Sequence, residues 1–238
     1  MVEIAQTVYI NALQKECAIG DYVSLPNNSI KMSEEVRLCM VTVIVEVHRI
    51  KEYKEETLYM ATSLADRYLA LLTILEQPSP CLIRLAFVCV LIAAKFEEPM
   101  QPSFNRMVRL IKTEYNFETS KEELVQLEQS VIRLLDWDLH IETPIFFLER
   151  FQRIFGVDQE RQVIDFDLNS ARRVGSLARK MLRCILLSSA YLQFKPSEVA
   201  AAALMLSINI NSSVCAQLMG APSVLHQLRQ QAFYYNQQ

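Results

Sequence analysis

Hydrophobic residues recur every three to four positions along most of the chain, with polar residues between them, and that period belongs to helices turning one face to a core. Ile4, Val8 and Leu13 mark a short amphipathic segment, and the stretch from Gly20 to Ser29, with Pro26-Asn27-Asn28, is rich in turn formers. An appended helix and a linker are therefore expected over residues 1–30. Ser33 has the chemistry of an N-cap and is followed by Glu34 and Glu35, after which Val36, Met40, Val43 or Ile44, and Val47 keep helical spacing as far as Arg49. Leu58, Ala61, Ala65, Leu69 and Leu72 predict a second helix, closed by Gln77-Pro78-Ser79-Pro80. Pro80 then opens a third, from Cys81 to about Glu97, which is apolar nearly all round, as only an enclosed helix can be. A fourth helix is expected between Pro102 and Tyr115. A fifth begins at Ser120, where Glu123 three residues on completes a capping box, and runs to about Asp136.

The pattern then restarts. Thr143-Pro144 opens a helix ending before Gly156, residues from Asp167 to Ser188 form another, and Pro196 to about Ile210 form a third containing Ala200 to Ala203, whose small side chains admit close neighbours. Ser63-Leu64-Ala65-Asp66-Arg67 is echoed by Ser176-Leu177-Ala178-Arg179-Lys180, each followed about one helix later by a proline-initiated, small and apolar helix. The shared order of elements makes a duplicated helical domain the economical reading: residues 1–30 as N-terminal helix and linker, 31–140 as the first domain, 141–238 as the second. Only Asn211 to Gln238 remain for the last helices of the second copy, which is expected to be short at its C-terminus.

Composition narrows the function. Hydrophobic residues make up 51% of the 238 and charged residues 21%, so the chain can bury one or two cores. Its 4 glycines leave little material for phosphate-cradling loops. A formal net charge of −3, with Lys and Arg scattered, gives no basic face for nucleic acid and points to a protein partner. The 6 cysteines show no CxxC spacing and most lie in apolar runs, which fits a reducing compartment. The N-terminus does not resemble a signal peptide, and the longest apolar run, Leu85 to Ala94, is too short to span a bilayer. No membrane association is expected, and the location is intracellular, in nucleus, cytoplasm or both. GxGxxG, Walker A, HExxH and GxSxG are all missing, and His48, His140 and His226 stand apart without ligand companions. The expectation is a non-enzyme without catalytic residues, metal or cofactor.

Four charges stand on stripes that should be apolar. Arg37 shares a face with Val41 and Ile44, Asp66 lies between Thr62 and Leu69, Lys95 follows Val88 and Ile92, and Glu128 sits among Leu124, Val131 and Leu135. A bare charge on such a stripe is costly, so these four need partners. Arg37 with Asp66 suits an internal ion pair; Lys95 and Glu128 suit either a mutual pair or a joint grip on another protein's backbone.

These residues resemble the cyclin family. Val36-Arg37-Leu38-Cys39-Met40-Val41 looks like the opening of a cyclin box, Ala65-Asp66-Arg67-Tyr68-Leu69 resembles its second helix, and Leu91-Ile92-Ala93-Ala94-Lys95-Phe96-Glu97-Glu98 resembles the end of its third. Glu128 with Leu134-Leu135-Asp136-Trp137-Asp138-Leu139 is similar to the fifth helix and its exit, and Tyr191-Leu192-Gln193-Phe194-Lys195-Pro196-Ser197 resembles a second box of the mitotic and S-phase classes. The resemblance implies an all-α fold of two five-helix cyclin boxes and the work of binding and activating a cyclin-dependent Ser/Thr kinase in cell-cycle control. It assigns Arg37 and Asp66 to a structural pair, and Lys95, Glu128, Phe96, Glu97, Glu98, Ile132 and Trp137 to the kinase interface. Helix one carries Thr42-Val43 where many cell-cycle cyclins have Asp-Trp, so the substrate-docking groove would lack its aromatic floor. Val36, Cys39, Val43, Glu46, Leu82 and Ile83 occupy its positions, either as a modified docking patch for kinase substrates or inhibitors or as ordinary core. A cyclin-fold adaptor and a transcription-associated cyclin remain the alternative functions.

Overall fold

The structure is a computed structural model and describes residues 2–15, 34–154 and 168–211; Ser33, Cys17, Cys215, His226 and the glutamine-containing tail lie outside them. The described residues form nine α-helices and one 3-10 turn, in the order α1 (Val2–Lys15), α2 (Glu34–Lys51), α3 (Glu55–Ile74), α4 (Leu82–Glu97), α5 (Phe104–Tyr115), α6 (Lys121–Leu134), α7 (Pro144–Ile154), α8 (Leu168–Leu186), the 3-10 turn (Ser189–Gln193) and α9 (Pro196–Ile210). The helical period of the sequence thus survives into an all-α fold. Boundaries shift by a few residues: Pro80 stands before the N-cap Cys81 instead of opening α4, and α6 stops at Leu134, two residues short of Asp136.

Two compact units emerge, and neither is a continuous stretch of chain. One contains residues 14–143 together with 186–194; the other contains 1–13, 144–185 and the chain from 195 onward. In the first unit α4 is the axis. From Leu85 to Ala94 every side chain is buried, with α2, α3 and α6 packed around it, which explains why this segment has no polar face. Ser120 Oγ accepts from the Glu123 amide at 3.1 Å while Glu123 Oε2 accepts from the Ser120 amide at 2.8 Å, so the capping box forms as its spacing predicts.

A glycine-poor chain must end its helices by other means. Beyond α2, α3 and α6 the paired bonds Glu52 N to Arg49 O with Tyr53 N to His48 O, Glu76 N to Thr73 O with Gln77 N to Leu72 O, and Asp136 N to Arg133 O with Trp137 N to Ile132 O are Schellman closures. They require a left-handed residue, and Glu52 (φ 52°), Glu76 (φ 52°) and Asp136 (φ 50°) supply it where glycine would be unstrained; Asn116 (φ 47°) does the same after α5.

The second unit packs α9 against α7, with Ala200, Ala203, Leu204 and Ile208 of α9 buried. The expected N-terminal helix forms, and most of it belongs to this unit. Tyr9 meets Phe147 and Phe151 edge-on at 6.2 and 6.5 Å between centroids, and the Arg150 guanidinium lies 4.5 Å above its ring. Val8, on another face of α1, is exposed. Gly175 in α8 lets the Gln152 side-chain nitrogen stand only 3.1 Å from where a Cβ would be. Of the four described cysteines, Cys89 alone is buried, and Cys39 and Cys184 are exposed, so the thiols are not the uniform core residues that their apolar neighbourhoods suggest.

Candidate protein-docking site

Arg37 and Asp66, each 1% exposed, meet in a bidentate pair: Nε donates to Oδ1 at 3.0 Å and Nη2 to Oδ2 at 2.9 Å. Arg37 Nη1 also donates to the carbonyls of Leu186 and Ser188, both at 3.0 Å, so one side chain joins α2, α3 and the 186–194 segment. Burial pushes the Asp66 carboxyl upward and the Arg37 charge pulls it back. The same pocket takes in Tyr191 and Cys89, whose ionisation is pushed well above the ordinary range by burial first and by the Asp66 charge second. The two carbonyl partners left no signal in the sequence, because they are backbone atoms some 150 residues from Arg37.

At the far end of α4, Lys95 Nζ donates to Glu128 Oε1 of α6 at 2.6 Å and lies 4.9 Å above the Phe104 ring. The ammonium is part-exposed and the carboxylate nearly buried, so the pair stands at the rim of the core with its stem packed. Phe96, next along the chain, is 59% exposed; on α6 Ile132 is half-buried, and past the end of that helix Trp137 is 73% exposed. Glu97 lies near Glu56, Lys54 and His140, and burial followed by repulsion from Glu56 raises its carboxyl. Glu98 is engaged within the fold. Its Oε1 accepts from the Lys54 amide at 2.8 Å and from Thr57 Oγ1 at 2.6 Å, which caps α3 where its own N-cap residue has no side-chain bond to offer. Lys54 Nζ returns the contact to the Glu97 carbonyl at 2.9 Å.

Sequence reasoning missed the support beneath Trp137. Arg67, 4% exposed, donates from Nη1 to the Asp138 carbonyl at 2.9 Å and from Nη2 to Asp138 Oδ2 at 3.0 Å. Arg67 follows Asp66 directly, yet serves a different partner, since adjacent helical residues point about 100° apart.

The positions named as a docking groove separate. Val36, Cys39 and Glu46 are exposed on α2 and Leu82 and Ile83 are half-buried on α4, but Val43 is 6% exposed and belongs to the core. Tyr115, absent from the sequence-based set, donates its hydroxyl to Glu46 Oε2 at 2.7 Å and sets its ring edge-on to Phe87 at 5.7 Å. Burial, and then the bond to Glu46, push its ionisation well upward. No described helix is long and apolar enough to cross a membrane, and the described residues contain no cluster of three or more acidic, His or Cys side chains arranged to hold a metal.

Residues 6–140 match the family described as Cyclin, N-terminal domain, and residues 142–229 match Cyclin, C-terminal domain. The chain belongs to the cyclin family. Among its relatives, this cyclin is 28% identical over 207 residues to the G2/mitotic-specific cyclin S13-6 of Glycine max, covering 85% of this chain and 41% of the relative. It is 28% identical over 204 residues to the G2/mitotic-specific cyclin-B3 of Gallus gallus, covering 86% and 45%. This cyclin therefore spans less than half the length of those two relatives. In fold it is similar to a viral cyclin from herpesvirus saimiri, with a TM-score of 0.62, 16% identity and coverage of 76% of this chain and 72% of the other. It is also similar to a chain in the CAK complex of Chaetomium thermophilum bound to ATP-gamma-S, with a TM-score of 0.58, 18% identity and coverage of 92% and 63%.

Proposed function

We propose that this cyclin is the regulatory subunit of a cyclin-dependent Ser/Thr kinase acting in cell-cycle control, and that it activates the kinase without doing chemistry itself. The observation that carries this reading is the Lys95–Glu128 pair set at the end of α4, next along the chain to the outward-facing Phe96, with Trp137 also outward-facing just past the end of α6. An ammonium has three donors and a carboxylate about four acceptor sites, so a pair that spends one contact on itself retains capacity for a partner's backbone. The aromatic residues supply apolar area, and the charged pair fixes register. A kinase transfers phosphate rapidly only when its β3 lysine meets the C-helix glutamate and its aspartate holds magnesium. A surface that binds this active arrangement more tightly than the inactive one shifts the population toward it, by as much as the two affinities differ.

Glu98 contributes by holding the end of α4 against the start of α3, and Val36, Cys39, Glu46, Leu82 and Ile83 are read as a modified substrate-docking patch without an aromatic floor, with Val43 as core behind it. In this reading the first cyclin box, residues 31–140, carries the kinase contact, and residues 141–238 form the second box. The deciding experiment is affinity purification of the wild-type chain beside a Lys95→Ala/Glu128→Ala double variant, with co-purifying kinase activity measured on a histone substrate. Active kinase recovered by wild type, and lost by a double variant of unchanged helix content, is the expected outcome. Equal recovery by both chains refutes the assigned interface, and a bound kinase that is not stimulated by wild type points to an adaptor.

A further inference from the structure

The Schellman closure of α6 needs one left-handed residue, and Asp136 at φ 50° provides it. Trp137 at φ 61° is a second one in succession, and a bulky residue in that region is a true conformational exception. Nothing in the helix ending requires it. Its effect is to turn the indole outward to 73% exposure while Leu135 and Leu139 on either side are buried at 3% and 4%. The turn is held from below by Arg67, which grips both the backbone carbonyl and the carboxylate of Asp138, the residue that follows the tryptophan. Further bonds from Asp138 N to Leu135 O at 2.9 Å and from Leu139 N to Trp137 O at 3.0 Å close the loop around it. A strained backbone clamped by a buried cation, with an aromatic side chain as its outward product, is an arrangement built to present that side chain.

We propose that Arg67 is a positioning residue for partner docking: it locks the 136–138 turn so that Trp137 stands preformed as the anchor entering an apolar pocket of the kinase. The proposal rests on the kinase-regulatory reading above. Tryptophan is favoured as an interface anchor because it buries a large area with few torsions to freeze, and presetting its backbone removes part of the remaining ordering cost.

Trp137 is the chain's 1 tryptophan, so its fluorescence reports this turn without labelling. The test compares wild type, Arg67→Met and Asp138→Asn in time-resolved anisotropy and iodide quenching of the free chain, then in kinase affinity, with each variant repeated in a Trp137→Ala background. Trp137→Ala is expected to weaken kinase binding about thirtyfold or more, as removal of an anchor does. Arg67→Met is expected to loosen the indole and weaken binding about 2–10-fold, the worth of ordering one side chain. Added to Trp137→Ala, Arg67→Met should weaken binding no further. Asp138 is largely exposed, so Asp138→Asn keeps the test alive if Arg67→Met fails to fold. Unchanged anisotropy in the folded variants, or full additivity with Trp137→Ala, overturns the positioning role. Absence of any kinase binding by wild type overturns the kinase reading instead, and the anisotropy of the free chain still judges the turn.

Discussion

Replacing Arg37 with alanine should be among the most damaging substitutions in this cyclin. The change strands the Asp66 carboxylate at 1% exposure and removes the donor from the Leu186 and Ser188 carbonyls. Removing one member of a buried ion pair costs about 3–5 kcal/mol, and a buried carbonyl left without its donor about 1–3 kcal/mol more. These losses share one side chain and do not simply add, so about 5 kcal/mol is expected, a large share of the ~5–15 kcal/mol that holds a domain together. With a urea slope of about 2 kcal/mol per molar, the midpoint should fall by about 2.5 M. Trp137 fluorescence follows this transition in the first unit, while amide exchange over 186–194 should accelerate at the same time.

The same variant carries a pH signature. With the guanidinium gone, burial alone governs Asp66 and raises its folded-state pKa above the unfolded value of about 3.9. The folded state then binds more protons than the unfolded one between those two values, so stability falls as pH rises through that window. The gap between variant and wild type should therefore narrow from pH 7 toward pH 4. A second comparison, Arg37→Met with Asp66→Leu, should recover part of the loss by removing the orphaned charge. A midpoint shift of Arg37→Ala below about 0.5 M at unchanged slope, or a gap that widens on acidification, would refute the reasoning.

Glu76→Gly should stabilise the chain by about 0.5–1 kcal/mol, because glycine relieves the left-handed strain at φ 52°; a lowered thermal midpoint contradicts the Schellman assignment. Phe87→Ala, at the fully buried centre of α4, should cost about 3–5 kcal/mol and free the Tyr115 ring packed edge-on to it, as read by chemical unfolding and by Tyr115 line shapes. Ser120→Ala should cost about 1 kcal/mol by uncapping α6. The Ser120 amide holds the Glu123 carboxyl below its ordinary range, so its contribution is present above the unfolded pKa and lost as pH falls through the folded one. Glu123→Gln should consequently differ from wild type at pH 7 and converge with it near pH 3, where persistence of the difference would point to the side chain's shape and not its charge.

Much of this fold was legible before any coordinates. The period of Leu58 to Leu72, the all-round apolarity of Leu85 to Ala94 and the capping box at Ser120 are local facts, since a helix bonds each residue to neighbours within one turn and its caps lie three residues apart. The four charges on apolar stripes were visible for the same reason, and the need of each for a partner followed from the cost of burying it bare. What the sequence could not decide was which partner. Glu98, assigned by resemblance to the kinase interface, bonds the Lys54 amide and Thr57; Val43, left open between docking patch and core, is buried. Arg67 looks like one more basic residue on a helix and holds the turn of Trp137.

The helical period and the cap at Ser120 were thus determined by the sequence alone, because they rest on bonds between residues close along the chain. Tertiary structure decided that the 186–194 segment folds with residues 14–143 and that the N-terminal helix packs with Phe147 and Phe151. Those choices pair backbone carbonyls and aromatic faces across more than a hundred residues, and such groups carry no mark in the sequence of the neighbour that will satisfy them.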